Sequence, residues 1–184
     1  MLPIGHIAGG YLITQAVLAL AHPALSVMEQ QQLLWWGMFF GFAPDLDTFM
    51  VFIKTKRFVA TDDISHRKFW SHAPIVWLIG GLAVFFFGLT RQNIFLEYLG
   101  IIIWLSSWGH FVIDTIQNGV MWLWPWGKKP IALFDEEIKD NIPVQAFLSY
   151  WIKFVKFYMT RMAISFVLEL VVIISALLLY FRAN

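Results

Sequence analysis

The sequence predicts an all-α integral membrane protein with about five transmembrane helices, on the basis of its composition and its long apolar segments. Hydrophobic residues make up 59% of the 184 residues, charged residues make up 14%, and the mean hydropathy is +0.67. Residues 1–28, 73–90 and 98–113 contain no Asp, Glu, Lys or Arg. Soluble domains are far more polar on average, and a helix needs about 20 mainly apolar residues to cross a bilayer. The chain is therefore expected to cross a membrane several times.

The five predicted spans share an apolar composition and run approximately over residues 3–20, 32–53, 73–90, 94–117 and 162–181. The second span contains Pro44, which lacks a backbone donor and disfavours helical geometry at the residue before it. Backbone irregularity at membrane depth is tolerated only inside protein or beside a wet cavity. The segment around Asp45 is therefore expected to face something polar.

We interpret residues 1–184 as a single membrane domain with three parts. Residues 1–130 form the core that carries the motifs, residues 131–161 form an interfacial segment, and residues 162–182 form the C-terminal span. After Pro143, aromatic residues recur at helical spacing among lysines, which predicts an amphipathic helix lying on the membrane surface. Glu169 falls within the last span and needs a polar partner on a neighbouring helix, with Arg161 as one candidate.

Basic residues predict the orientation of the chain. They are concentrated in the loops after the second and fourth spans, whereas the links after the first and third spans contribute only Arg91. The positive-inside rule places the basic loops and the N-terminus in the cytoplasm. The net charge of +1 gives no reason to expect a nucleic-acid partner, and the absence of Cys excludes disulfides and thiolate metal sites.

Seven potential metal ligands lie at span ends that the predicted topology brings to this cytoplasmic face: His6, Asp45, Asp47, His66, His72, His110 and Asp114. His110 and Asp114 are four residues apart, so they share one helix face. His22 falls at the opposite face. Ionisable groups in spans are costly and usually contact one another in a wet interior. Read alone, Asp45 and Asp47 could be turn or helix-cap residues, and His110 with Asp114 could be a helix-stabilising pair.

Imidazole and carboxylate ligands suit a divalent transition metal such as Zn, Mn or Fe. Seven candidates exceed the needs of one tetrahedral ion, so we expect one or two ions, with some of the residues orienting the others. Asp47 and His72 are the candidate catalytic side chains next to such ions. Arg67 is a third, because a guanidinium binds phosphate oxygens bidentately.

The motifs resemble a known family. Ala43-Pro-Asp-Leu-Asp47, His66-Arg67, Ser71-His72, and Gly109-His-Phe-Val-Ile-Asp114 followed by Gly119 and Pro125 are similar to motifs of the YdjM-like membrane-bound metal-dependent hydrolases. The similarity covers roughly residues 1–130. It implies a multi-pass inner membrane protein with a metal-dependent hydrolase site, and some members of the family are under LexA control.

The predicted function is hydrolysis at the cytoplasmic face of the membrane, by metal-activated water, of an ester or phosphoester of an amphiphilic substrate. Membrane lipids and such a small molecule are the expected partners. Two alternatives stay open at this point. The chain could be a metal-ion or proton transporter, since acid and histidine chains also mark ion pathways, or a membrane scaffold stabilised by a metal.

Overall fold

A computed structural model describes residues 2–55, 69–117, 119–134 and 147–183. These residues form seven α-helices: α1 (Pro3–Ala21), α2 (Val27–Phe42), α3 (Asp47–Thr55), α4 (Pro74–Arg91), α5 (Ile94–Asp114), α6 (Phe147–Arg161) and α7 (Ala163–Ala183). A single antiparallel β-bridge, between Val120 and Ile131, is the only strand-like pairing within the described part of the chain. The predicted all-α fold class is confirmed.

Four helices are long and apolar enough to cross a bilayer: α1, α4, α5 and, over residues Ala163–Arg182, α7. They coincide with the first, third, fourth and fifth predicted spans. Pro3 and Pro74 each occupy the first turn of their helix, where the missing N–H would have had no intrahelical partner. His22 and Gln92, which adopt left-handed backbone conformations, end α1 and α4.

The second predicted span, residues 32–53 with its interruption at Pro44, does not contain a helix long enough to cross a bilayer. The segment is divided into α2 of 16 residues, a 3-10 turn at Ala43–Leu46 that contains Pro44, and the separate helix α3. Pro44 supplies the physical reason, because its ring cannot be accommodated in a regular helix interior. The sequence predicted an interruption at Pro44. It did not predict that the helix before Pro44 would be too short to count as a full-length span.

The C-terminal part of the chain bends between α6 and α7. Met162 lies outside both helices, although its N–H still bonds to the Tyr158 carbonyl at 3.2 Å. The predicted helix after Pro143 is present as α6, and the last span begins where it was expected. The position of α6 on the membrane surface stays a prediction, and residues 135–146 of the predicted interfacial segment lie outside the described residues.

Helix α1 is central to the packing, because α2, α5 and α7 all pack against it, while α4 packs on α5. The buried apolar cluster draws on these helices and consists of Ala8, Tyr11, Leu18, Leu33, Leu34, Ile102 and Ala176. Glycines allow α1 and α2 to touch backbone to backbone, since a Cβ at Gly10 would collide with the Gly37 carbonyl. Helix α2 packs against both α1 and α5.

This packing brings four helix ends together. The backbone of His6, near the start of α1, lies against Gly41 near the end of α2, and Gly41 accepts a hydrogen bond from His110 near the end of α5. Trp108 Nε1 donates to the Pro74 carbonyl at 3.0 Å, which fixes the start of α4 beside the end of α5. The convergence predicted from topology alone is therefore present in the fold.

Candidate metal centre

Six of the seven predicted ligands meet at this end of the helix bundle. His6, Asp47, His72, His110 and Asp114 are almost completely buried, with at most 2% of each residue exposed, and the Asp45 side chain is 16% exposed. His66 and Arg67 lie outside the described residues. His22 is exposed at the other end of α1. The arrangement makes Asp45 the most accessible of the six.

Four of these residues face one another closely enough to share one ion. Asp45, His72, His110 and Asp114 each offer one ligand atom, and the four atoms lie within 4.8 Å of one another. Asp45 comes from the 3-10 turn after α2, and His72 from the short 3-10 helix Trp70–His72 before α4. His110 and Asp114 stand one turn apart on α5. Two of the four residues, Asp45 and His72, therefore come from short 3-10 segments outside the α-helices.

The distances in this group are longer than hydrogen bonds and close to those between two ligands of one metal ion. His110 Nε2 is 3.6 Å from Asp45 Oδ1 and 3.8 Å from Asp114 Oδ2, and His72 Nε2 is also 3.8 Å from Asp114 Oδ2. Hydrogen bonds of this type are about 2.7–3.2 Å long. Two ligands on one tetrahedral zinc ion, each about 2.0–2.2 Å from it, lie roughly 3.3–3.6 Å apart. The 3.8 Å between His110 and Asp114 is within the distance of an i,i+4 ion pair but too long for a hydrogen bond.

Two of the imidazoles are oriented by hydrogen bonds from the ring nitrogen that points away from the group. His110 Nδ1 donates to the Gly41 carbonyl at 3.0 Å, which leaves Nε2 as the lone-pair nitrogen. His72 Nδ1 lies 3.1 Å from Asp47 Oδ2, which also accepts from Ser71 Oγ at 2.9 Å. A carboxylate bonded to the outer nitrogen of a ligating histidine fixes its tautomer and ring orientation. Asp47 therefore contacts His72 on the side away from the group of four ligand atoms, and its role as a metal ligand stays a prediction.

His6 completes the cluster from α1. Its ring stacks on that of His110 with 3.8 Å between the centroids, and its Nε2 is 3.4 Å from Asp114 Oδ1 and 3.8 Å from Asp45 Oδ2. Neither ring nitrogen of His6, nor Nε2 of His110, has a hydrogen-bond partner among the described residues, although all three atoms are buried. Buried polar atoms are normally satisfied, so the two Nε2 atoms, which are directed at carboxylates, fit a bound cation.

The charge state of His72 follows from its surroundings. Burial lowers the pKa of its imidazole, but contacts with Asp114 and Asp47 outweigh burial and raise the pKa to about 9. Without a cation, the positive imidazolium therefore offsets part of the negative charge of the carboxylates at neutral pH. A divalent ion bound there would replace this proton, because a ligating histidine must be neutral.

A second buried polar contact adjoins the cluster and was not predicted as part of the site. Glu169 of α7 is 2% exposed, and its Oε2 accepts hydrogen bonds from Tyr158 Oη at 2.5 Å and from the Leu2 N–H at 3.1 Å. The expectation of a partner on a neighbouring helix is confirmed, but Tyr158 is that partner and Arg161, which is exposed, is not. The bend at Met162 turns Tyr158 towards α7. No pattern in the sequence indicated this pairing.

The comparisons with known proteins agree with the membrane fold. A family model described as YdjM inner membrane protein matches residues 1–184. The match therefore extends over the whole sequence, beyond the roughly 130 residues that carry the motifs. No curated protein and no solved structure matches the chain.

Proposed function

Since the chain belongs to the YdjM family of inner membrane proteins, we propose that its cluster of histidines and aspartates is the metal centre of a hydrolase acting at the membrane surface. The observation that carries the proposal is the group of four ligand atoms, from Asp45, His72, His110 and Asp114, within 4.8 Å of one another. Carboxylate oxygens and imidazole nitrogens, two of each here, are ligands that divalent transition metals prefer. The reaction proposed is hydrolysis of an ester or phosphoester.

Each residue has a distinct part in this proposal. A divalent ion bound there would lower the pKa of water and polarise the bond to be cleaved. Asp45, His72, His110 and Asp114 would hold the ion, and Asp47 would keep His72 in the ligating tautomer through the 3.1 Å contact to Nδ1. Asp45 marks the open side of the group, because it is its most exposed member. Arg67 is proposed to bind a phosphate group of the substrate.

The location of the group supports an amphiphilic substrate. It lies at the ends of helices that are apolar enough to cross a membrane, so a lipid-like molecule could present a polar linkage there while its apolar part stays in the bilayer. The cytoplasmic side is proposed for this face from the basic loops beside it. The amphiphilic substrate is proposed from the position of the group at the helix ends, and the cytoplasmic side is proposed from the charge of the loops.

The transporter alternative has less support from the described residues. Among the described residues, the Asp, Glu and His side chains that are nearly fully buried all lie at this one end: His6, Asp47, His72, His110, Asp114 and Glu169. At the other end, His22 is exposed and Glu29 forms a helix capping box with Ser26. An ion pathway needs ionisable groups spread over membrane depth, and the buried Asp, Glu and His side chains of the described residues are not spread in this way.

The test is metal-dependent turnover by the purified protein in detergent or nanodiscs. The substrates should be an aryl phosphate ester, an aryl carboxylate ester, a lysophospholipid and a phospholipid. Each should be tested with protein that has been stripped by a chelator and then loaded with Zn²⁺, Mn²⁺ or Fe²⁺. We expect turnover that a chelator abolishes and that His110→Ala and Asp114→Asn remove, because each of these substitutions deletes a ligand.

His22→Asn is the matched control, because it also removes an imidazole but far from the site, and Asn tolerates the left-handed backbone of that position. The control should retain full turnover. Turnover that persists in the chelator, or that survives in both site variants, would show that this group of residues is not the hydrolytic centre.

A further inference from the structure

Each of the two carboxylates in the group, Asp45 and Asp114, directs one oxygen towards His110 and the other towards His6. Asp45 Oδ1 and Asp114 Oδ2 lie towards His110, at 3.6 Å and 3.8 Å from its Nε2. The other two oxygens, Asp45 Oδ2 and Asp114 Oδ1, lie towards His6, at 3.8 Å and 3.4 Å from its Nε2. Both carboxylates can therefore contribute one oxygen to each of two cation positions. His72 and His110 lie beside the first position, and His6 lies beside the second.

We propose that the centre holds two divalent ions bridged by Asp45 and Asp114, with His6 as the terminal ligand of the second ion. This inference rests on the proposed metal centre and adds a second cation position to it. His6 Nε2 is buried, has no hydrogen-bond partner among the described residues, and points at one oxygen of each carboxylate. Without a bound cation, burial of this nitrogen with no hydrogen-bond partner would lower the free energy of unfolding.

The stacking of His6 on His110 supports the spacing of the two positions. The ring centroids are 3.8 Å apart and the planes differ by 26°, so both rings present Nε2 to the same carboxylates from adjacent positions. Two-metal hydrolytic sites have their ions about 3.5–4 Å apart. Stacked imidazoles at this distance can each ligate one ion of such a pair while sharing the bridging carboxylates.

The two positions differ in how many protein ligands surround them. His72, His110, Asp45 and Asp114 supply four ligand atoms to the first position, which is the number that a closed tetrahedral site uses. His6, Asp45 and Asp114 supply three to the second, among the residues described. Catalytic metal sites keep a position open in this way, so the position beside His6 is the one that would accept water or substrate.

The test is metal stoichiometry together with electron paramagnetic resonance of the full-length protein loaded with Mn²⁺. We expect wild-type protein to bind about two equivalents and to give the multiline spectrum of a coupled, carboxylate-bridged pair. His6→Ala should bind about one equivalent and give the spectrum of an isolated ion. His22→Asn should match the wild type.

The outcomes separate this inference from the proposed function. If wild-type protein binds one equivalent with an isolated-ion spectrum, and His6→Ala binds the same, the second position does not exist although the metal centre stands. If the wild type binds no metal, the metal centre itself fails. The wild-type spectrum decides the point without any variant, so the test holds even if His6→Ala does not fold.

Discussion

Tyr158 and Glu169 form a buried hydrogen bond, with 2.5 Å between Oη and Oε2, across the junction of α6 and α7. Residues 11 apart in a continuous helix would be separated by about 16 Å along its axis, so this contact exists only because the chain bends at Met162. Burial and the neighbouring Glu169 raise the pKa of the Tyr158 phenol, which therefore stays protonated and donates. Glu169 also accepts from the Leu2 N–H, so the pair connects the C-terminal helices to the start of α1.

Removal of the Tyr158 hydroxyl should destabilise the fold. Tyr158→Phe leaves a buried carboxylate with one donor fewer, and the loss of a hydrogen bond to such a group costs about 1–3 kcal/mol. Thermal unfolding in detergent should show a lower midpoint than for the wild type. Thr160→Ala on the same helix is the control, because the Thr160 hydroxyl is exposed and bonds only to its own helix. Equal midpoints for the two variants would contradict a stabilising role for the contact.

A methyl group at Gly41 should disturb both packing and metal binding. The added Cβ would collide with the His6 carbonyl, and overpacking of this kind costs about 1–3 kcal/mol. The Gly41 carbonyl also orients His110, so metal affinity should fall together with the unfolding midpoint. Gly80→Ala is the control: nothing lies within 4 Å of its added Cβ, and Ala favours a helix by about 1 kcal/mol. A Gly41→Ala protein with unchanged midpoint and affinity would refute the close contact of α1 with α2.

Asp47→Asn should weaken metal binding without changing how many ions bind. Asp47 contacts His72 Nδ1, and loss of such an orienting carboxylate lowers metal affinity roughly 10–100-fold. Isothermal titration should therefore give a larger Kd with wild-type stoichiometry at saturation. Asp114→Asn, in contrast, should lower the stoichiometry, because Asp114 is placed as a ligand. A lower stoichiometry for Asp47→Asn would instead make Asp47 a ligand, as first expected from the sequence.

Single cysteines should reveal the orientation of the chain in the membrane. The protein has no Cys, so each introduced thiol reports on its own position. We expect Lys128→Cys, in the exposed loop after α5, to react with a membrane-impermeant maleimide only after the cells are opened. Ala24→Cys, in the exposed link between α1 and α2, should react in intact cells once the outer membrane is permeabilised. The reverse pattern would place the candidate metal centre on the periplasmic side.

The sequence was sufficient to predict which residues meet, because topology alone brings alternate span ends to one face. Four of the spans follow from their length and apolar composition. This rule then predicts the juxtaposition of five residues: His6, Asp45, His72, His110 and Asp114. The contact of Asp47 with the outer nitrogen of His72 could not be predicted in the same way. It depends on the direction in which a 3-10 turn points the side chain, which spacing in the sequence does not specify. The partner of Glu169 was missed for a similar reason, since helical spacing from Arg161 assumes a straight chain through Met162.

The shortness of α2 has a consequence for the membrane around the protein. Its 16 residues span about 24 Å, whereas the hydrocarbon core of a bilayer is about 30 Å thick. If α2 crosses the membrane as the predicted second span, the lipids beside it must compress to match its length, which would bring their glycerol and phosphate linkages towards the level of Asp45. In a hydrolase of the kind proposed, the deformed bilayer would deliver the scissile bond, and no moving part of the protein would be needed to extract it.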